Sequence, residues 1–221
     1  MHKHLVMWSS MALFGAMLFS CSPDNPLPVT VRPSVGELSR RQSASINIGP
    51  GERLIGSAML LPEGRMVTNL HVVQHRTDSV RITIDGSSFF AVRLLATDEK
   101  SDLALFQLPE GMDFESPLPA SADPRPGMPV FAYGAAFGLH RSYLQGYVSH
   151  SDRRLQENGG ERSYVQTQGI TYPGMSGAPV YALDGKWIGI NRAAYGYSLG
   201  TGIGLVIPAS TVRRFLDKEA P

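Results

Sequence analysis

Short apolar runs, alternating or continuous, recur along this chain, and most are closed by glycine, proline or aspartate. Leu54–Leu61 is followed by the turn Pro62-Glu63-Gly64, and Arg65–Asn69 then leads into His71. Val80-Arg81-Ile82-Thr83-Ile84 alternates and stops at Asp85-Gly86, with further runs at Phe89–Leu95 and Leu103–Leu108. Runs of this length, bounded by residues that tolerate turn geometry, predict β-strands. Residues 109–129 contain six prolines and read as an irregular connector. The style then resumes at Val130–Tyr133, Tyr143–Ser149, Tyr164–Thr167, Ala178–Ala182, Lys186–Asn191 and Gly202–Ile207, with a turn at Asp184-Gly185. One helix is predicted, over Val212–Lys218, with Ser210 or Thr211 as its cap. Many short strands without interleaved helices predict an all-β sandwich or barrel, and periodicity goes no further.

The first twenty residues break the pattern. Lys3 precedes an apolar stretch from Leu5 to Phe19, and no acidic residue occurs before Asp24. That order reads as a secretory signal, and the stretch is shorter than a comfortable membrane span of ~20 residues. A retained signal anchor is the other reading. The single cysteine, Cys21, follows Leu18-Phe19-Ser20, which resembles the lipobox of bacterial lipoproteins. The resemblance implies cleavage before Cys21, acylation of its sulfur and a lipid anchor to a membrane. Ser22 in the next position implies the outer membrane, facing the periplasm. A plain signal peptide with an incidental cysteine is the alternative. Residues 22–37 carry Pro23, Pro26, Pro28 and Pro33 and read as a tether. The predicted organisation is a signal peptide over 1–20, a lipidated tether over 21–40 and a folded domain over 41–218. Within that domain the halves are expected at about 41–115 and 125–208.

Composition narrows the function. Hydrophobic residues make up 43% and charged residues 18%, which excludes a disordered chain. The formal net charge is +1 and no basic run exceeds two residues, so no nucleic-acid partner is expected. With one cysteine, no disulfide forms within the chain.

Gly174-Met175-Ser176-Gly177-Ala178-Pro179 carries the clearest chemical signal. A serine hydroxyl is a weak nucleophile until a base takes its proton and nearby donors stabilise the negative charge that develops. Glycines on both sides let the backbone turn sharply and present its N–H groups. His71, between Asn69-Leu70 and Val72-Val73, and Asp102, before Leu103-Ala104-Leu105, supply the other members of a triad in the chain order His, Asp, Ser. His75, His140 and His150 lack such settings and read as surface or loop residues. Asp98 reads as a solvated turn residue, and Glu99 and Lys100 as solvent charges.

Several separated segments, in order, resemble the HtrA (Deg) branch of the trypsin-like serine proteases. They are Gly56-Ser57-Ala58 with Val67 to Val73, Asp102 to Leu105, Tyr133 to Leu139, Gly146 to Ser149, Gln166-Thr167 through Gly177, Ile188 to Asn191, and Gly202 to Pro208. The resemblance covers roughly residues 50–215. It implies two packed six-stranded β-barrels with a site in the cleft between them. It implies a serine endopeptidase acting on a protein or peptide substrate through an acyl-enzyme, with no metal or organic cofactor. Ser176 would be the nucleophile, His71 the base and Asp102 its orienting carboxylate. The N–H groups of Gly174 and Ser176 would form the oxyanion hole. His71 and Asp102 fall in the first half and Ser176 in the second, so the triad forms only when the halves dock.

Departures from the family pattern refine this. Met175 stands where the family has Asn or Asp, so it cannot pair with a newly cut N-terminus, and loop order must come from other contacts. Ala178 stands where a second glycine is usual. Ile170, Ala194 and Tyr195 occupy the positions that line the family's primary pocket, and none is acidic. Cleavage after Lys or Arg is therefore not expected, and small or medium apolar side chains are. Only about thirteen residues follow Pro208, so no PDZ domain is expected. Two other readings remain: a pseudo-protease that binds peptides or partners, which Met175 keeps open, and a non-catalytic β-barrel lipoprotein.

Overall fold

The predicted strands assemble into two antiparallel β-layers, each contributed by one half of the chain. The computed structural model describes residues 36–37, 40–48, 53–74, 80–90, 93–112, 114, 122–157, 159–195 and 202–219. The signal, lipobox and most of the tether, with Cys21 and His75, lie outside them.

The first half contains β1 (Ser43–Ile48), β2 (Arg53–Leu61), β3 (Arg65–Asn69), β4 (Val80–Ile84), β5 (Ser87–Phe90), β6 (Arg93–Asp98) and β7 (Leu103–Gln107). Their order in the sheet is β5-β4-β1-β2-β3-β7-β6. The two edge strands are consecutive in sequence, with Phe90 ending one and Arg93 starting the other. A chain advances at most ~3.3–3.6 Å per residue, so the sheet's edges lie within about 11 Å and the layer must curl on itself. The segment expected as one strand, Phe89–Leu95, contributes to both edge strands, β5 and β6. The first layer is therefore a seven-stranded sheet where six strands were expected.

The second half contains β8 (Pro129–Gly134), β9 (Ser142–Glu157), β10 (Gly160–Gln168), β11 (Pro179–Ala182), β12 (Trp187–Tyr195) and β13 (Ile203–Pro208). It closes as a six-stranded barrel in the order β10-β13-β12-β11-β8-β9. The all-β class and the trypsin-like plan are therefore as expected.

Three differences have physical causes. β1 escapes the apolar-run criterion because small polar residues alternate with its apolar ones. Ser43, Ser45 and Asn47 are nonetheless buried, and Asn47 donates through Nδ2 to Thr83 Oγ1 at 3.0 Å. β9 runs eight residues past Ser149 as a polar ribbon, pairing Arg153–Glu157 with Tyr164–Gly160. The C-terminal helix spans Ala209–Lys218 and has no side-chain cap. It begins directly after Pro208, and Thr211 accepts a hydrogen bond from Arg214 instead of capping.

One apolar cluster joins the halves. Met59, Leu61, Val67, Leu103 and Leu105 of the first pack with Phe131, Tyr181, Trp187, Ile190 and Leu205 of the second, and with Val212, Phe215 and Leu216 of the C-terminal helix. Separate clusters fill each barrel, around Ile46, Leu60, Phe106 and Ile82 in the first and around Val130, Val180, Ile188 and Val206 in the second. Burial of such side chains contributes roughly 1.5–3 kcal/mol each, which is enough to fix how the barrels meet.

Candidate active site

β3 ends at Asn69 and passes straight into a single helical turn, α1 (Leu70–Val73), which carries His71. The register of β3 against β7 pairs Asn69 with Leu103, so Asp102, one residue before β7, lies beside that turn. Asp102 adopts a left-handed backbone conformation, φ 57°, and its main-chain carbonyl accepts from the Leu70 N–H at 3.1 Å and from Asn69 Nδ2 at 3.2 Å. Asp98 sits one turn earlier and accepts the Ser101 N–H at 3.0 Å, closing the bend that delivers Asp102. Asp98 is thus the half-buried last residue of β6, where a solvated turn residue was expected, and its carboxylate closes the turn that follows.

The carboxylate of Asp102 grips His71 twice. Oδ1 accepts the His71 main-chain N–H at 2.9 Å, and Oδ2 lies 2.7 Å from Nδ1 of the imidazole. Burial alone opposes the charged carboxylate. The hydrogen bonds and charge of His71 outweigh it, aided by the Arg192 guanidinium, and hold the carboxyl below the usual aspartate range. An ionised carboxylate can only accept, so Nδ1 carries a proton, and in the neutral ring Nε2 is then the accepting nitrogen.

Ser176 comes from the other barrel. Gly174 and Gly177 on either side of it both have φ 89°. A side chain at Gly174 would meet the Ala135 carbonyl at 2.1 Å, and one at Gly177 the Ser57 carbonyl at 1.9 Å, so the loop needs glycine for space as well as for angle. The carbonyl of Pro173 accepts the Phe137 N–H at 2.7 Å. In a trans peptide the carbonyl and the next N–H point opposite ways, so the Gly174 N–H faces away from Phe137. Among the described residues, neither the Gly174 nor the Ser176 N–H has an acceptor. The Ser176 hydroxyl donates to the main-chain carbonyl of Arg192 at 2.9 Å, and among the described residues it makes no hydrogen bond to His71.

The contacts that order the loop without an Asn or Asp at 175 are visible. Met175 is fully buried in the second barrel's own cluster. The Gly177 N–H donates to Asn191 O at 2.9 Å, and the Asn191 N–H returns a bond to Ala178 O at 2.8 Å. The first barrel contributes Ser57, which is fully buried. Its hydroxyl donates to Gly174 O at 2.8 Å and accepts from the Ala135 N–H at 3.1 Å. Its main-chain N–H donates to Ser176 O at 2.7 Å, and its carbonyl accepts from Thr68 Oγ1 at 2.7 Å. Sequence reasoning placed Ser57 inside a matching motif without giving it a role.

Arg192 was missed altogether. It is the one charge in the run Ile188 to Ala194, and that isolation was the available signal. Its Nε donates to Asp102 Oδ2 at 3.0 Å and its Nη1 to Glu157 at 3.0 Å. A cleft of about 910 Å³ opens here, lined by His71, Asp102, Arg162, Arg192, Ala193 and Glu99 among others.

The three expected pocket residues fare differently. Ile170 is fully buried and packs in the second barrel's core, so its side chain does not line an open pocket. Its position six before the serine puts it at the base of the loop, where the apolar interior claims it. Ala194 is half-buried on β12 opposite Gly204. Tyr195 pairs with Ile203 at the end of the same strand, and its side chain lies outside the described set. His140 is exposed, and His150 is half-buried on β9, where its Nδ1 accepts the Asp152 N–H at 3.1 Å.

Two β-layers meeting at a histidine–aspartate pair from one and a glycine-flanked serine from the other define the class of the trypsin-like serine peptidases. Residues 56–190 match the model of the trypsin-like peptidase domain, and the chain belongs to that family. It is 35% identical over 165 residues to serine protease HTRA1A of Danio rerio, an alignment covering 71% of this chain and 33% of that protein. It is 33% identical over 175 residues to the probable periplasmic serine endoprotease DegP-like of Rickettsia prowazekii, covering 74% and 33%. The chain thus spans about a third of the length of these curated relatives. The fold is also that of a crystal structure of Rv3671c from M. tuberculosis in an inactive mutant form. The TM-score is 0.71 at 22% identity, covering 86% of this chain and 92% of that one.

Proposed function

We propose that this domain is a serine endopeptidase in which Ser176 attacks a peptide carbonyl, His71 relays the proton and Asp102 holds the imidazole. The observation that carries this reading is the doubly bonded Asp102–His71 pair, with its 2.7 Å contact at Nδ1. That contact fixes the tautomer in which Nε2 accepts the serine proton. Attack forms the bond from Ser176 Oγ to the carbonyl carbon as the hydroxyl proton passes to Nε2. Collapse of the tetrahedral species expels the amine, which takes that proton from His71, and leaves an acyl-serine. Water then attacks the acyl carbon by the same route and releases the acid. The Gly174 and Ser176 N–H groups are the proposed oxyanion donors, each worth ~10²–10³ in rate where such donors have been removed. For the first step the Ser176 hydroxyl must leave the Arg192 carbonyl for the imidazole.

The substrate is a protein or peptide, with a small or medium apolar residue before the scissile bond. That preference rests on the absence of a carboxylate at 194 and 195. Acylation of Cys21 would hold the enzyme at the cell envelope, on the outer membrane facing the periplasm. The DegP-like relative's description as periplasmic fits this location. Among the described residues no helix is long and apolar enough to cross a membrane. A second reading has a specific observation behind it. The serine hydroxyl bonded to Arg192 O instead of His71 suits a pseudo-protease that binds chains without cutting them.

A fluorophosphonate probe and a peptide library separate the two. The enzyme is expected to take the label and cleave peptides, and Ser176→Ala to lose both. A folded wild-type protein that takes no label and cuts nothing refutes the enzyme and leaves the binder. Cys21→Ala is expected to move the protein out of the membrane fraction; unchanged association would point to a retained signal anchor.

A further inference from the structure

Arg192 touches both ends of the catalytic constellation. Its carbonyl accepts the Ser176 hydroxyl at 2.9 Å, while its guanidinium donates to Asp102 Oδ2 at 3.0 Å. The side chain is 19% exposed and crosses from β12 of the second barrel to the triad carboxylate of the first. It is held along its length. Nη1 bonds Glu157 Oε1 at 3.0 Å, and the guanidinium carbon lies 5.2 Å from the centre of the Tyr164 ring. Tyr164 in turn donates to the same Glu157 oxygen at 3.1 Å, and Arg162 pairs with the other oxygen at 3.1 Å. The cation is thus aimed by Glu157 and Tyr164 of the second barrel, while Arg162 beside them also donates to Glu99 O of the first at 3.4 Å.

Asp102 therefore has three donors. Two belong to His71 and follow from local chain geometry. The third is Arg192, and among the described residues it is the donor that reaches this carboxylate from the opposite barrel. Oδ2 is shared between His71 Nδ1 and Arg192 Nε, so the guanidinium sets both the plane of the carboxylate and how fully it is available to the imidazole. We propose that Arg192 is a positioning residue of the triad: a clamp from the second barrel that fixes Asp102, and through it His71, only when the barrels are docked. Planarity and two-ended donation suit arginine to this place. A lysine has one donor centre and cannot bridge Asp102 and Glu157 in the same way.

The proposal rests on the serine-peptidase reading, but its test includes a measurement that needs no turnover. In the Ser176→Ala background, NMR follows the low-field proton between His71 Nδ1 and Asp102. In the active background, kcat and KM are measured for Arg192→Met, Arg192→Lys and the double variant Arg192→Met/Glu157→Gln. The double variant removes both charges of the Arg192–Glu157 pair, so Glu157 is not left as a carboxylate short of one cation. The expected result is a kcat lower by about 10- to 100-fold with KM changed little, as for a misplaced catalytic group. Arg192→Lys is expected to recover only part of the loss. The proton resonance is expected to move once Oδ2 loses its second donor. Wild-type kcat with an unmoved resonance in the double variant overturns the proposal. So does a lower kcat with an unmoved resonance, because Arg192 would then act on folding alone. If the wild-type protein takes no fluorophosphonate and cuts nothing, the peptidase reading fails, and the resonance still decides whether Arg192 sets the carboxylate.

Discussion

Replacing Ser57 with alanine probes how the first barrel holds the loop of the second that carries Ser176, the proposed nucleophile. The substitution removes one oxygen and leaves the backbone of β2 in place. That oxygen satisfies two groups: the Gly174 carbonyl at 2.8 Å and the Ala135 N–H at 3.1 Å. Ala135 is fully buried, so its N–H finds no water when the acceptor goes, whereas half-buried Gly174 can recover part of its loss. An unsatisfied buried group costs about 1–3 kcal/mol. The pair therefore sums to about 2–4 kcal/mol, or a fall in melting temperature of roughly 5–15 °C for a domain of this size. Activity should suffer separately. Gly174 keeps its orientation partly because its carbonyl is tied to Ser57, and loss of such a donor, the role proposed for its N–H, costs ~10²–10³ in kcat. Thermal unfolding and steady-state kinetics on Ser57→Ala, at temperatures well below its own melting point, measure the two effects independently. A variant with wild-type melting temperature and wild-type kcat would refute the claim that this hydroxyl orders the loop.

Three further outcomes follow from the same geometry. Gly177→Ala should destabilise by more than about 2 kcal/mol, because the new carbon meets Ser57 O at 1.9 Å and φ is 89°; chemical denaturation measures it, and a neutral effect would mean the loop relaxes freely. Met175→Ala should cost about 2–5 kcal/mol through the cavity left in the second barrel and should lower activity along with stability; kinetics that stay normal in the folded variant would show that the loop's order comes from hydrogen bonds alone. Asp102 has its carboxyl held below the usual range, so its contribution to stability is complete above about pH 4, the unfolded value, and is lost as pH falls through the lower folded value. Melting curves against pH should show that acid-side loss reduced in Asp102→Asn, and equal slopes in the two proteins would count against it.

Much of the proposed site was legible because its members carry local signatures. A serine between glycines, a histidine closing a strand and an aspartate opening one each require backbone geometry that short motifs reveal. The strands were legible where apolar residues cluster, as in β7 and β11. β1 was not, because only Ala44 and Ile46 of it are apolar core residues, and Ser43, Ser45 and Asn47 on its other face are interior only through the tertiary setting. Ile170 was assigned to a pocket by counting from the serine, yet position along a loop does not say on which side of the barrel wall a side chain falls. Ser57 and Arg192 escaped for a different reason. Their roles lie in contacts across the barrel boundary, at sequence separations of 117 to Gly174 and 90 to Asp102, and no local pattern encodes such a distance.

Those two residues also say what kind of object the site is. Ser57 reaches from the first barrel to the loop of the second, and Arg192 reaches back to the carboxylate of the first. The buried Tyr181 hydroxyl donates to Gln42 Oε1 at 2.7 Å across the same boundary. These polar links sit beside the shared apolar cluster that contains Trp187. If docking and folding are one event, the site cannot come apart while the core stays intact. In a urea titration, the loss of fluorophosphonate labelling at Ser176 and the change in tryptophan emission should then share one midpoint. Trp187 is fully buried in that cluster and reports its integrity. Labelling that disappears at a clearly lower urea concentration than the tryptophan transition would show that the barrels part, or the loop melts, before the core does. The cross-barrel links would then be followers of the fold, with no hold over the site.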